Sequence, residues 1–293
     1  SSSIGGMTTP IGTIPNAVMI GFFEEQYNLQ INFIDWVIFV LPLSLILLSF
    51  LWLYFSFKIR NETKEVDQSS IKKKLKSLGT FSVKEKITSF ILITVASLWI
   101  FKMKINEFFG INLSDSGIAL FCAFLFFAIP INKKYHTILD AEWFKNIPWN
   151  VLILFGGGLA MASLVMDTGL ADEISRYISF LNKFDIILII LFLTFLTSFF
   201  TEFTSNTATT FLLLPLLGTF AIDSGLDIVK IILPVILAAS CAFMMPISTP
   251  PNAIVFSTKQ INISFMIKTG IVMNFICIGI IATFVSFFGS LAF

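Results

Sequence analysis

The 293 residues are 56% apolar and only 13% charged, whereas soluble domains run at roughly 45–50% apolar. That excludes an ordinary soluble domain, and recurring apolar stretches of about 20 residues, the length that crosses a bilayer as helix, predict an all-α polytopic membrane protein. A net charge of +1 gives no basis for a nucleic-acid partner, and the three cysteines, Cys122, Cys241 and Cys277, sit in apolar segments without metal spacing or a disulfide framework.

The chain opens at Ser1 with neither an initiator Met nor a targeting pattern, so an N-terminally truncated chain is expected. Residues 1–22 read as a broken helix interrupted at Thr9 to Asn16. A long span over 35–57 carries Trp36, Trp52 and Tyr54 near its ends, where amphipathic rings favour the membrane interface. A charged linker, 58–82, ends in Ser82-Val83-Lys84-Glu85, which fits a capping box opening the next helix. Spans are expected at about 83–101, 114–130 and 148–166, with an interfacial segment at 170–182. Residues 186–222 are lipid-grade except for Thr204-Ser205-Asn206-Thr207-Ala208-Thr209-Thr210. They are too interrupted for two crossings and predict a re-entrant hairpin whose arms meet at Ser205-Asn206-Thr207. A second broken helix covers 229–258, with polar Ser248-Thr249-Pro250-Pro251-Asn252-Ala253, and a last span covers 266–290.

Threading these spans alternately puts fourteen of the nineteen Lys and Arg on one side, including Lys58, Arg60, Lys64, Lys72, Lys133, Lys134 and Lys268. The positive-inside rule makes that side cytoplasmic. The linker is then cytoplasmic, and the hairpin enters from outside, where the C-terminus also lies. The lysine run 72–76 reads as a topology anchor, with lipid binding as the alternative.

Two segments repeat. Thr9-Pro10-Ile11-Gly12-Thr13-Ile14-Pro15-Asn16-Ala17 is echoed by Met245-Pro246-Ile247-Ser248-Thr249-Pro250-Pro251-Asn252-Ala253, with Pro, Ile, Thr, Pro, Asn and Ala recurring at an offset of 236. The threading runs the two copies in opposite directions, giving an inverted repeat. Polar, non-helical backbone is tolerated at membrane depth only where protein or a water-filled cavity surrounds it, and paired broken helices build midplane sites in secondary transporters.

Asn206 offers an amide donor and a carbonyl acceptor, and Ser205 and Thr207 offer hydroxyls. A helix starting at the motif presents free N–H groups and a positive dipole end to an anion. Pro250 and Pro251 remove backbone donors and free carbonyl oxygens suited to a small cation. Neither break contains Lys or Arg, so a bound anion requires co-bound cations. An integral membrane enzyme lacks support in the absence of an activated nucleophile or acid/base pair, and a non-transporting scaffold leaves the two breaks unexplained.

Thr201-Glu202-Phe203-Thr204-Ser205-Asn206-Thr207-Ala208-Thr209-Thr210, followed by Leu212-Leu213-Leu214-Pro215, resembles the second Ser-Asn-Thr motif of the divalent anion/Na+ symporters. Thr249 through Phe256 resembles that family's late unwound helix, and Ser3 through Asn16 its earlier counterpart. Trp149-Asn150-Val151 through Gly158 and Leu78-Gly79…Ser82…Glu85-Lys86 also fit, so the resemblance spans essentially the whole chain. It implies a homodimeric elevator transporter in the cytoplasmic membrane that takes up C4-dicarboxylates (succinate, malate, fumarate) with Na+. A dicarboxylate exchanger, or a carrier of sulfate or another divalent anion, is the alternative. It further implies a transport domain of 1–57 and 185–293, a linker of 58–82 and scaffold spans in 83–184. By position, Ser205, Asn206, Thr207 and Thr249 would bind a substrate carboxylate. Thr201, Thr204, Asn206, Ser248 and Pro250 would surround one Na+, and Gly12 would serve another, completed by a first Ser-Asn-Thr motif that precedes this sequence. Ile14 stands where the family often has Pro, and Thr8-Thr9 where Gly-Thr is common.

Three further residues stand out. Glu202, an acid inside a membrane segment, is a functional candidate that reads as a brace for the hairpin tip. Gly156-Gly157-Gly158 has the wrong spacing for a dinucleotide loop and suits close helix packing. His136 reads as a solvated loop residue.

Overall fold

The computed structural model describes residues 1–59, 68–131 and 137–293. Arg60, Lys64, Lys133, Lys134 and His136 lie outside the described residues. Within them the regular secondary structure is helical, apart from a single bridge between Pro130 and Thr137. The helices are α1 (Ser2–Gly6), α2 (Ile14–Tyr27), α3 (Phe33–Ile59), α4 (Gln68–Ser77), α5 (Val83–Phe109), α6 (Asp115–Ala128) and α7 (Trp149–Asp167). They continue as α8 (Leu170–Ile178), α9 (Ile186–Phe200), α10 (Asn206–Asp223), α11 (Ile228–Ala239), α12 (Pro250–Ser257) and α13 (Ile263–Phe288). Four of the described helical segments are long and apolar enough to cross a membrane: Phe33–Lys58, Val83–Phe109, Trp149–Asp167 and Ile263–Leu291.

The starts of these helices follow from local chemistry. The capping box before α5 forms, with Ser82 N donating to Glu85 Oε2 at 2.7 Å and Glu85 N to Ser82 Oγ at 3.3 Å. Asp227 caps α11 and Asn262 caps α13 by accepting backbone N–H groups of their first turns. Two expected boundaries move. α5 runs to Phe109 rather than 101, because Lys102 pairs with Asp115 at 2.9 Å and Gly110, at φ 62°, ends the helix in left-handed conformation. The linker 58–82 is not structureless, since α4 lies inside it.

The described residues form two compact units, Ser1–Ser56 with Asn150–Phe293, and Phe57–Trp149. In the first, α11 is the central post. Every residue from Ile231 to Ala239 is buried, which a helix apolar all round requires, and α9, α10, α13 and α2 pack against it. Packing also places 150–184 in this unit, where the sequence groups them with 83–149. The reason is α8, which lies on α10, with Ser175 Oγ donating to Asp223 Oδ2 at 2.7 Å. In the second unit α5 packs on α6 around Ile91, Ile118 and Cys122.

Trp36 departs from expectation. It is no interfacial anchor but fully buried, and its Nε1 donates to the Met7 carbonyl at 3.0 Å. Of the three consecutive glycines only Gly158 makes a close approach: a Cβ there would collide with the Phe211 ring of α10, whereas Gly156 and Gly157 face open space.

Candidate functional site

α9 and α10 form the hairpin, joined by Thr201 to Ser205. At 1.5 Å per residue, lengths of 15 and 18 residues give about 22 and 27 Å, each short of the roughly 30 Å hydrocarbon core. α10 begins at Asn206 after Ser205, whose side chain makes no cap bond. Its first-turn N–H groups therefore lack the hydroxyl partner a serine at this position usually provides, an arrangement suited to an anion. Thr201 Oγ1 donates to Asn206 Oδ1 at 2.6 Å and lies 3.3 Å from the Ala239 carbonyl at the end of α11. Thr204 Oγ1 lies 2.7 Å from Thr209 Oγ1 and donates to the Phe200 carbonyl. Asn206 and Thr204 are half-buried, Thr207 is buried and Ser205 is exposed.

The second break runs from Ser240 to Thr249. Thr249 caps α12 by accepting from Asn252 N at 3.4 Å, which leaves its hydroxyl proton free to donate. Ser248 Oγ donates to the Met245 carbonyl at 2.7 Å and accepts from Asn252 Nδ2 at 3.1 Å. Asn252 Nδ2 also reaches the carbonyls of Ala242 and Met245 at 2.9 and 3.0 Å. Pro250 is exposed at the start of α12.

The first break has the same construction. Asn16 Nδ2 reaches the carbonyls of Met7 and Thr9 at 3.2 and 2.9 Å. The bonds Asn16 to Thr9 and Asn252 to Met245 are equivalent at the offset of 236, so the repeat in the sequence is also a repeat of hydrogen bonds. Gly12 must be glycine, since a Cβ there would meet the Gly6 carbonyl and the Thr9 hydroxyl. Ser240 Oγ donates to Thr13 Oγ1 at 3.3 Å and joins the two breaks.

Glu202 ties the hairpin to the second break. It is fully buried, and its Oε1 accepts from Phe243 N, Met244 N and Asn274 Nδ2 at 2.8, 2.9 and 2.7 Å. Its Oε2 accepts from Met245 N at 2.9 Å. All four partners are uncharged. The expected brace exists, but it spans from the hairpin tip to the break and to α13. Ser198 Oγ adds a bond to the Cys241 carbonyl at 3.1 Å. The hairpin tip, the second break and, through Thr13, the first break are thereby gathered into one polar region. Among the described residues no cluster of His, Cys, Asp or Glu could hold a metal ion. Apart from the Glu202 carboxylate, which is taken up by its four donors, the oxygens on offer are carbonyls, amides and hydroxyls.

All 293 residues match the family described as the sodium:sulfate symporter transmembrane region. The chain belongs to this symporter family. It is 37% identical over 284 residues to the sodium-dependent dicarboxylate transporter SdcS of Staphylococcus aureus (strain USA300), covering 94% of this chain and 54% of the relative. It is 36% identical over 295 residues to the protein of that name in Staphylococcus saprophyticus, covering 98% of this chain and 57% of the relative. The chain thus spans a little over half the length of these curated relatives.

Several residues of this polar region are missing from the sequence reading. Asn16 and Asn252 are visible there as repeat partners, but not as staples that hold broken backbone open. Ser198, Ser240 and Thr13 give no individual signal. Asn274 does leave a trace, as the one polar side chain in the stretch from Gly270 to Ala282 of α13, where a polar side chain seeks a partner.

Proposed function

We propose that the protein is a secondary active transporter that couples uptake of C4-dicarboxylates such as succinate, malate and fumarate to Na+. The observation that carries this reading is the uncapped start of α10, held through Asn206 and Thr201 against the end of α11 beside an oxygen-rich break. A substrate carboxylate is bound by the first-turn N–H groups of α10 with Ser205, Asn206 and Thr207, and by the hydroxyl of Thr249. Oxygens of Thr201, Thr204, Asn206, Ser248 and Pro250 surround one Na+, and Gly12 contributes to a second. No Lys or Arg occurs in 201–210 or 239–253. A dianion there is neutralised by co-bound cations and the helix end, which makes cation coupling obligatory.

The two asparagine-stapled breaks are the halves of an inverted repeat. A transport domain built on 1–57 and 185–293 moves by an elevator mechanism against scaffold spans in 83–149, within a homodimer. The protein is a multi-pass protein of the cytoplasmic membrane, with 58–82 inside and the C-terminus outside. Relatives named as dicarboxylate transporters favour dicarboxylate, and the family description, which names sulfate, supplies the second reading.

The deciding experiment is radiolabelled succinate uptake into proteoliposomes holding the full-length protein, with Na+ or K+ outside. Uptake driven only by inward Na+ establishes the symporter. Uptake confined to vesicles preloaded with dicarboxylate makes it an exchanger. Sulfate uptake without succinate uptake transfers the proposal to inorganic anions.

A further inference from the structure

We propose that α4 is a membrane-surface helix that binds anionic phospholipid headgroups. Residues 68–82 contain Lys72, Lys73, Lys74 and Lys76 and no acidic residue. Ile71 and Leu75, four apart on α4, share one helical face, and Leu78 follows in the turn that closes the helix, its N–H bonded to the Leu75 carbonyl. They are 59, 68 and 78% exposed, and every residue from 71 to 86 is exposed. A ten-residue helix is marginal in water and requires a surface to cover its apolar stripe.

Chain connectivity supplies the surface. α4 ends at Ser77 and α5, apolar and long enough to span a bilayer, begins at Val83. The connection reaches at most about 20 Å, so α4 stays within reach of the headgroup layer. There the apolar stripe enters the boundary between headgroups and acyl chains, and the flanking lysines meet phosphates. The charge selects the lipid: Lys72, Lys73, Lys74 and Lys76 outnumber Glu62, Glu65 and Asp67, which precede the helix, and with Lys64 they leave a net positive charge over 62–82 that favours anionic over zwitterionic headgroups. The inference rests on the membrane-spanning character of α5. Only the assignment to the cytoplasmic leaflet rests on the orientation proposed above.

The test places a thiol-reactive environment-sensitive fluorophore at Leu75→Cys in the full-length protein, with any cysteine outside the present 293 residues replaced by serine; Cys122, Cys241 and Cys277 are buried. Proteoliposomes of phosphatidylcholine alone are compared with vesicles that also contain phosphatidylglycerol, each doped with a headgroup spin-labelled lipid. Blue-shifted emission and strong quenching that depend on phosphatidylglycerol and weaken with salt are expected. One Lys→Gln substitution among the four lowers the ratio of bound to detached helix about 5-fold, and Lys→Arg leaves it unchanged. Equal quenching in both lipid mixtures overturns the preference for anionic headgroups. Emission from a water-like environment, or a blue shift without quenching, overturns the surface placement in favour of solvent or a protein contact. Labelling of the same thiol by an impermeant reagent tests the leaflet separately, and succinate uptake is not the readout.

Discussion

Glu202 gives the most exacting test of how the hairpin and the second break hold together. Glu202→Ala strands three backbone N–H groups, those of Phe243, Met244 and Met245. At about 1–3 kcal/mol for each buried unsatisfied group, the loss is about 3–9 kcal/mol, a large part of the roughly 5–15 kcal/mol that holds a folded protein together. Glu202→Gln keeps a carbonyl oxygen in place of Oε1 and turns an amide NH2 toward Met245 N. It strands one N–H group and loses about 1–3 kcal/mol, or about 2–12 °C in melting temperature. Removing the charge also relieves its desolvation, so the two variants separate hydrogen-bond acceptance from charge. The assay is thermal unfolding in detergent, followed by a thiol-reactive dye that reports exposure of buried Cys241 and Cys277. The expected order is wild type, then Gln, then Ala, with the larger gap below Gln. An Ala variant that melts with the Gln variant would falsify the clamp.

Asn206→Ala removes the amide proposed to serve both ligands, so Na+-dependent succinate binding should disappear; unchanged succinate affinity with intact Na+ dependence refutes the site. Thr201→Val deletes the 2.6 Å bond that orients Asn206. At about 1 kcal/mol for a neutral hydrogen bond, substrate affinity should weaken about 5-fold, and an unchanged half-saturation concentration in uptake shows that the bond is dispensable. Gly158→Val drives a side chain into the Phe211 ring and should destabilise by about 1–3 kcal/mol. Phe211→Ala added to it should restore part of the melting temperature, a coupling absent if the contact is unimportant.

Helix positions are legible in this sequence because apolar runs of membrane length are hard to mistake, and the breaks because polar residues at membrane depth are rare. The repeat is readable residue by residue. Tertiary hydrogen bonding is not. Glu202 stands out as a buried acid, but nothing in the local pattern says that its partners lie some forty residues away in Phe243, Met244 and Met245. Trp36 misleads for a related reason. A tryptophan near the end of a span suits the interface on its own, and only the fold shows the Met7 carbonyl that draws its N–H inward. The packing of α8 on α10 does not show for the same cause, since Ser175 and Asp223 are far apart in sequence.

The backbone at Thr13, with φ −139° and ψ 147°, matches that at Thr249, with φ −140° and ψ 149°. Yet Ile14 follows the first and Pro250 the second. The conformation is therefore indifferent to proline at that position, and what the two copies share is Asn16 and Asn252, whose amides compete for carbonyls that a continuous helix would use. Shape and chemistry are thus assigned to different residues. Because Ile14 keeps an N–H and Pro250 has none, the same turn offers one more donor in its first copy. Two breaks with the same local backbone thus present different donors.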